Sequence, residues 1–184
     1  RIRFRNVEFS GLGGNTNSNY YRAGVCISGY NGGLDPTSAD TDAYGFQTEV
    51  DGCTWDGSAT NATGNYRGMM FRRSYYNTVR NNVCYDSQHG MMWWSSQYHM
   101  AAFGNYSTRS EYCTNYIDSL YQTYCAFSYN YFTRSDDYGA LFYHVRSPVQ
   151  MRHCISLNHE QRPWYNYYAP PNTIWERWFF GSHR

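Results

Sequence analysis

Two short polar segments contain residue types that could hold a cation and remove a proton. Asp86 and His89 lie in the segment YDSQHG, and Asp136 and Asp137 lie in RSDDYG. In a polysaccharide lyase, carboxylates hold calcium against a uronate while a base abstracts the neighbouring proton. The sequence contains no Lys, so the base would be His or Arg, and Arg is almost always protonated.

The same residue types are those that turns favour, so ordinary turns account for both segments more simply. Asp86, His89, Asp136 and Asp137 are therefore only weak catalytic candidates. No metal site is predicted, and calcium would enter as a cofactor only if the chain acts on a polysaccharide.

The two segments occupy matching places in a pattern that recurs along the chain. Asn82, Asn105 and Asn130 each precede a short run with apolar residues, and a fourth copy begins at His153. The second residues of these copies fall at positions 83, 106, 131 and 154, in steps of 23, 25 and 23 residues. A fixed period of this length is typical of solenoid folds.

A second element repeats in step with the first. Gly followed by large apolar residues occurs at Gly24, Gly68, Gly90 and Gly139. Two earlier copies of the first element, RNVEF and DGCTW, would place Val7 and Cys53 in line with Val83. Two elements that share one period arise by chance much less often than either element alone.

The repeat predicts an all-β fold, a parallel β-helix (solenoid) with coils of about 22–25 residues over residues 1–160. Strands this short cannot bury a face alone, so successive coils must stack. Asn82, Asn105 and Asn130 would then form a ladder on one corner, where Asn also tolerates a left-handed backbone. Alternation within a coil would point Val83 inwards and Cys84 outwards.

An antiparallel sandwich is the rival fold, because its strands also recur at short spacing. A sandwich gives no reason for Asn to recur at this period, so the β-helix is favoured. The segment 161–184 contains many Trp and Pro residues and breaks the repeat. We expect it to be a cap or a docking tail, since an open β-helix end exposes unpaired strand edges.

Composition indicates a secreted or cell-surface protein. The chain has six Cys and 21 Tyr, and sequons at Asn61 and Asn105 predict N-glycosylation. Cys113 and Cys125 are the first candidates for a disulfide, although sequence does not fix connectivity. The net charge of +1 does not favour nucleic acid as a partner, and no apolar run is long enough to span a membrane.

Three segments, RNVEFSGLGG (5–14), VDGCTWDGS (50–58) and YNTVRNNVCYDSQHGMMWW (76–94), carry a resemblance to a known family. They resemble the right-handed β-helix region of fibrocystin-like receptors, which the cell-surface hyaluronan-degrading proteins also carry. The resemblance implies a right-handed helix and a larger extracellular parent chain. No catalytic motif of the enzymatic members is matched.

Two functions are therefore expected. The favoured one is a non-catalytic structural and interaction module of a cell-surface or filament-forming glycoprotein, whose partners are neighbouring copies and other domains of its parent chain. The alternative is a polysaccharide-binding or polysaccharide-degrading β-helix. In that case Trp55, Trp93, Trp94 and Tyr143 could stack on sugar rings, although such residues more often form the core.

Overall fold

The computed structural model describes residues 1–10, 23–28, 47–57, 67–98, 100–118, 122–123, 125–143, 145, 149–166, 174–177 and 179–181. Within these ranges every regular element is a β-strand. It follows that this part of the chain offers no long apolar helix as a membrane span.

The strands are numbered in chain order. The first ten are β1 (Ile2–Arg5), β2 (Glu8–Ser10), β3 (Ala23–Ser28), β4 (Thr48–Asp51), β5 (Thr54–Asp56), β6 (Arg67–Tyr75), β7 (Thr78–Arg80), β8 (Val83–Tyr98), β9 (Ala101–Phe103) and β10 (Tyr106–Asp118). The others are β11 (Gln122–Thr123), β12 (Ala126–Ser128), β13 (Tyr131–Ser135), β14 (Tyr138–Tyr143), β15 (Gln150–Arg152), β16 (Ile155–His159), β17 (Arg162–Asn166), β18 (Ile174–Glu176) and β19 (Phe179–Gly181).

Successive coils stack these strands in parallel on three faces. The first face is a seven-stranded sheet in the order β1-β4-β7-β9-β12-β15-β18. The second face follows the order β2-β5-β8-β10-β13-β16-β19. The third face contains β3, β6, β11, β14 and β17 together with the C-terminal parts of β8 and β10. Because β8 and β10 continue through the corner between them, the second and third faces form one sheet.

The prediction of an all-β parallel β-helix is confirmed, and the antiparallel sandwich is excluded, because all pairings between the described strands are parallel. The predicted coil length holds from β7 onwards, where equivalent positions lie 23, 25 and 24 residues apart. The earlier coils are longer, since residues 29–46 and 58–66 fall between their strands.

A two-residue turn joins the first face to the second face on every coil. Its first residue has a left-handed backbone with φ between 51° and 64°. These first residues are Asn6, Gly52, Asn81, Gly104, Tyr129, His153 and Arg177. Where the second residue is described, it follows directly and points towards the interior, so the turn fixes one inward position on those coils.

The asparagine ladder, Asn82, Asn105 and Asn130, occupies this inward position on three successive coils. Asn82 Nδ2 donates to Asn105 Oδ1 at 3.0 Å, and Asn105 Nδ2 donates to Asn130 Oδ1 at 2.9 Å. All three side chains are at most 2% exposed. The structure thus brings the three asparagines into one line.

Each amide of the asparagine ladder also binds backbone. The three Oδ1 atoms accept the N–H groups of Cys53, Asn82 and Asn105 at 2.8, 3.1 and 3.1 Å. The three Nδ2 groups donate to the carbonyls of Val50, Val79 and Ala102 at 2.9–3.0 Å. Buried amides with every group bonded rigidify a core instead of weakening it.

The register expected for the flanking copies is wrong by one residue. Val83 pairs with Thr54 and not with Cys53. Cys53 and Cys154 instead extend the row of the asparagine ladder, since Asn130 Nδ2 lies 3.9 Å from Cys154 Sγ. The expected register treats Cys53 and Cys154 as equivalent to Val83, the residue after Asn82. In the structure the two cysteines occupy the position of the asparagine itself.

The expected alternation has the correct period but the opposite phase. Cys84 is fully buried in the core, and Val83 and Tyr85 are partly exposed on the outer surface of the second face. The inward turn residue causes this phase, because Asn82 and Cys84 then lie on the same side of the chain.

Aromatic side chains fill the interior between the three faces. Trp55, Phe71, Trp93 and Phe127 are at most 1% exposed. Phe71 stacks on Trp93 with 4.6 Å between ring centroids, and Trp93 meets Phe127 edge-on at 5.3 Å. Trp55 and Trp93 therefore form the core and do not offer faces to a sugar.

The recurring Gly has a steric cause. Gly90 pairs between Gly68 and Thr114 on the third face, next to the corner. A Cβ atom on Gly90 would overlap Ser107 Oγ and the carbonyl of Thr114. The coil that lacks the Gly carries Thr114 at this position, and its hydroxyl donates to the carbonyl of Gly139 at 2.7 Å.

The repeat does not stop at residue 160, so the predicted domain boundary there is wrong. β17 pairs with β14, β18 with β15, and β19 with β16, all in the register of the preceding coils. The described part of the segment 161–184 therefore continues the β-helix. Aromatic residues such as Trp164 and Phe179 make the repeat hard to recognise in the sequence, but they occupy regular strand positions.

The predicted disulfide between Cys113 and Cys125 is also wrong, since both side chains are buried thiols. Cys113 lies on the third face, where its Sγ is 3.2 Å from His89 Nδ1. Cys125 lies in the core just before β12. Although the two cysteines are close in sequence, Cys113 lies on the third face and Cys125 directly precedes a strand of the first face.

Candidate functional site

A corner between the second and third faces contains two of the four sequence-predicted catalytic candidates, Asp86 and Asp136. Asp86, Arg109, Arg134 and Asn158 occupy one position of this corner on four successive coils. All four have a left-handed backbone, with φ between 50° and 59°. Residue types thus differ along this row although the backbone geometry repeats.

A second row of the same corner lies two residues further along the chain. Glu111, Asp136 and Glu160 are exposed there on three successive coils. Together with the first row they line a cleft of about 380 Å³. We call this set, Asp86, Arg109, Arg134, Asn158, Glu111, Asp136 and Glu160, the charged corner.

One ion pair neutralises part of the charged corner. Arg109 binds Asp86 through two nitrogens, with Nε–Oδ1 at 2.6 Å and Nη2–Oδ2 at 2.5 Å. The Arg109 guanidinium also lies 5.0 Å above the ring of Tyr85. Asp86 is therefore engaged by a cation of its own chain, which opposes a role in binding calcium.

The other predicted carboxylates are arranged differently. Asp136 lines the cleft with Asp86, as expected for residues two coils apart on one corner. Asp137 does not line it, and its Oδ1 accepts a hydrogen bond from Gln161 Nε2 on the next coil. Among the described residues, no three His, Cys, Asp or Glu side chains are close enough to hold a metal ion.

His89 is separated from the carboxylates with which it was grouped. The residue is only 8% exposed, and its ring is packed beside Tyr112 and Tyr116, with centroid distances of 5.2 and 5.0 Å. Its Nδ1 faces Cys113 Sγ and not the cleft. The structure therefore does not bring His89 and Asp86 together as a base and a cation ligand.

His159 is a buried titratable residue that sequence reasoning missed. Nδ1 lies 2.6 Å from Ser135 Oγ, and Nε2 lies 3.0 Å from Ser156 Oγ. The two hydroxyls also donate to the carbonyls of Tyr138 and Pro163, both at 2.6 Å. Burial lowers the pKa of His159 to about 4, so the ring is neutral near pH 7. A neutral imidazole has one N–H, which leaves one proton too few for these four contacts.

A signal for this row was present in the sequence. Ser87, Ser110, Ser135 and His159 share one buried position between the two rows of the charged corner. The three serines recur at steps of 23 and 25 residues, the same steps as the asparagines. Reading the repeat outwards from Asn would have found them.

Apolar side chains line the outer surface of the second face. Val83, Tyr106, Tyr131, Ile155 and Phe179 are paired in one row across five coils, and we call this row the aromatic stripe. The rings of Tyr106 and Tyr131 stack at 5.2 Å. Tyr131, Ile155 and Phe179 are 37%, 38% and 61% exposed.

The two predicted glycosylation sites have different outcomes. Asn105 is 1% exposed and both of its amide hydrogens are bonded within the asparagine ladder. It therefore cannot carry an N-linked glycan in this fold, and that prediction is wrong. Asn61 lies outside the described residues.

Comparison of the chain with models of known protein families, with curated proteins and with solved structures finds no match. The class defined by the fold is the parallel β-helix.

Proposed function

We propose that this chain is a non-catalytic structural and interaction module of an extracellular or cell-surface protein. It acts by shape, through the flat outer surfaces of its stacked coils. Its partners are neighbouring copies and other domains of the same parent chain. The resemblance to fibrocystin-like receptors supports the extracellular setting.

The aromatic stripe is the observation that carries this proposal. Contiguous exposed apolar surface on a soluble protein marks a contact site more often than isolated apolar residues do. The backbone of the aromatic stripe is also rigid. Four of its residues lie in strands that are paired on both sides, and Phe179 lies in β19, the last strand of the sheet. A rigid row loses little conformational entropy on binding.

Self-association of the 184-residue chain tests the proposal by sedimentation velocity over a concentration series. We expect the double variant Tyr131→Ser, Ile155→Ser to associate at least tenfold more weakly than the wild type. The matched control is Tyr129→Ser, because Tyr129 is 65% exposed but lies on the two-residue turn, stacked on His153. Equal association of the wild type and the stripe variant would contradict the proposal.

Polysaccharide binding is the second candidate function, because the charged corner places Asp86 and Asp136 in one cleft. A glycan array and a calcium titration followed by thermal unfolding would test it. Degradation of a polyanionic glycan that is lost in Asp86→Asn or Asp136→Asn would favour this function over the first.

A further inference from the structure

Four arginines surround one buried carboxylate on the outer surface of the first face. Arg3 and Arg5 alternate along β1 and Arg1 directly precedes it, so the three side chains point to the same side. Glu49 on β4 pairs directly opposite Arg3, and Arg80 lies on the following coil. We call Arg1, Arg3, Arg5 and Arg80 the arginine cluster.

Every guanidinium of the arginine cluster contacts Glu49. Glu49 Oε2 lies 3.1 Å from Arg1 and 3.0 Å from Arg3. Glu49 Oε1 lies 2.8 Å from Arg5 and 3.2 Å from Arg80. The hydrogen bond from Arg5 is the main cause that lowers the pKa of Glu49, so this carboxylate stays charged at neutral pH.

The positive charge of the arginine cluster exceeds the negative charge within it. Among the described residues, the only other anion that contacts the cluster is Asp51, which lies 2.8 Å from Arg80. Each guanidinium has five N–H donors and is always protonated. Most donors therefore stay open, and Arg80 Nε is buried with no hydrogen-bond partner among the described residues. The four side chains are 34–52% exposed, so they also reach solvent.

We propose that the arginine cluster binds sulfate groups of an anionic polysaccharide. A sulfate ester presents several oxygens in a geometry that matches the guanidinium fork. Glu49 already holds the four side chains in place, which reduces the entropy lost on binding. The Cα atoms of Arg1, Arg3 and Arg5 are spaced by about 7 Å along the strand, but their guanidinium groups converge on Glu49, so one anionic group can contact more than one of them.

A sulfated polysaccharide fits these observations better than nucleic acid does. The whole chain has a net charge of only +1, so the long-range positive field that non-specific nucleic-acid binding uses is lacking. The inference rests on the extracellular setting of the proposed function, where sulfated polysaccharides occur. It differs from the second candidate function, which uses the charged corner.

The test is titration of the full chain with a sulfated polysaccharide and with the same polymer after chemical desulfation. We expect binding of the sulfated polymer only, weakening as salt is raised. The double variant Arg3→Gln, Arg80→Gln should bind at least tenfold more weakly. Arg152→Gln is the matched control and should bind as the wild type does. Arg152 lies on the same face and forms a single pair with Glu176 at 3.3 Å.

A second variant separates binding from folding. Arg3→Lys, Arg80→Lys keeps the charges around Glu49 but removes the planar fork, so it should remain folded and bind about threefold to tenfold more weakly. Wild-type affinity in both double variants would overturn the inference. Equal weakening by Arg152→Gln, or tighter binding of a DNA duplex than of the sulfated polymer, would also overturn it.

Failure of this inference can be told apart from failure of the proposed function. If the sulfated polymer does not bind while the aromatic stripe still mediates self-association, only the arginine cluster has been misassigned. If neither occurs, the extracellular interaction module itself is contradicted.

Discussion

The asparagine ladder and the charged corner are both rows of polar side chains carried by the same coils, at opposite ends of the second face. In the ladder, one residue type repeats, and each amide bonds to the next amide and to backbone. At the charged corner, the backbone repeats but the residues change from Asp86 to Arg109, Arg134 and Asn158. Stacking therefore favours one residue type where buried side chains bond to one another along a row, and allows variation where water can satisfy the side chains.

The largest change in the free energy of unfolding is expected for a substitution of Asn105, at the centre of the asparagine ladder. Asn105→Ala removes the side chain that bonds the Asn82 N–H, the Asn82 Nδ2 group and the Val79 carbonyl, at about 1–3 kcal/mol for each buried group left unsatisfied. We expect the free energy of unfolding to fall by about 4 kcal/mol, measured by chemical denaturation.

The control for Asn105→Ala is Asn81→Ala, at the exposed first position of the equivalent turn on the preceding coil. It removes only a 3.1 Å hydrogen bond to Asp51 Oδ1 and places Ala in a left-handed backbone, at a cost of about 1–2 kcal/mol. Similar losses in the two variants would show that burial does not distinguish the two positions.

The next effect concerns His159, where the buried row is incompletely satisfied. Its pKa is lowered to about 4 in the folded protein, against about 6.5 in the unfolded chain. The unfolded state therefore binds more protons between these values, and stability falls as pH drops from about 6.5 to about 4, by about 3 kcal/mol in all. Below pH 4 this residue causes no further loss.

Denaturant unfolding at a series of pH values measures this dependence on His159. In His159→Gln the slope across the same window should flatten, because Gln does not titrate. A variant that keeps the full wild-type slope would show that other groups cause it.

A smaller change in stability is expected when the asparagine ladder is lengthened by one residue. Cys154 continues the row beyond Asn130, and its Sγ lies 3.8 Å from the carbonyl of Phe127. In Cys154→Asn the new amide can accept from Asn130 and donate to Phe127, as in the rungs before it. We expect thermal denaturation to show a gain of about 1 kcal/mol, with Cys154→Asp, which cannot donate, as the destabilised control.

The smallest effect is expected at the charged corner. Arg109→Gln breaks an exposed ion pair with Asp86, and such pairs contribute less than about 1 kcal/mol. Its effect on the free energy of unfolding should shrink further in high salt. A loss as large as that of Asn105→Ala would contradict the contrast between the two rows.

The sequence predicted the stacked fold and the alignment of Asn82, Asn105 and Asn130, because a residue type needed at the same buried position of each coil recurs at nearly regular spacing. It missed the exact register, since Cys53 and Cys154 replace Asn without changing the backbone. The grouping of His89 with Asp86 failed because side-chain direction alternates along the strand. The arginine cluster could not be assembled from sequence, since Glu49 meets Arg3 only through strand pairing across a long insertion.

The two-residue turn has a consequence for how such a chain can change in length. Every described coil passes through it with the same backbone, whereas residues are inserted at other places in the early coils. A whole turn of the solenoid could thus be deleted or duplicated between two such turns without disturbing the joint. The fold can therefore lengthen in evolution by duplication of whole coils, with new loops inserted at places other than the two-residue turn.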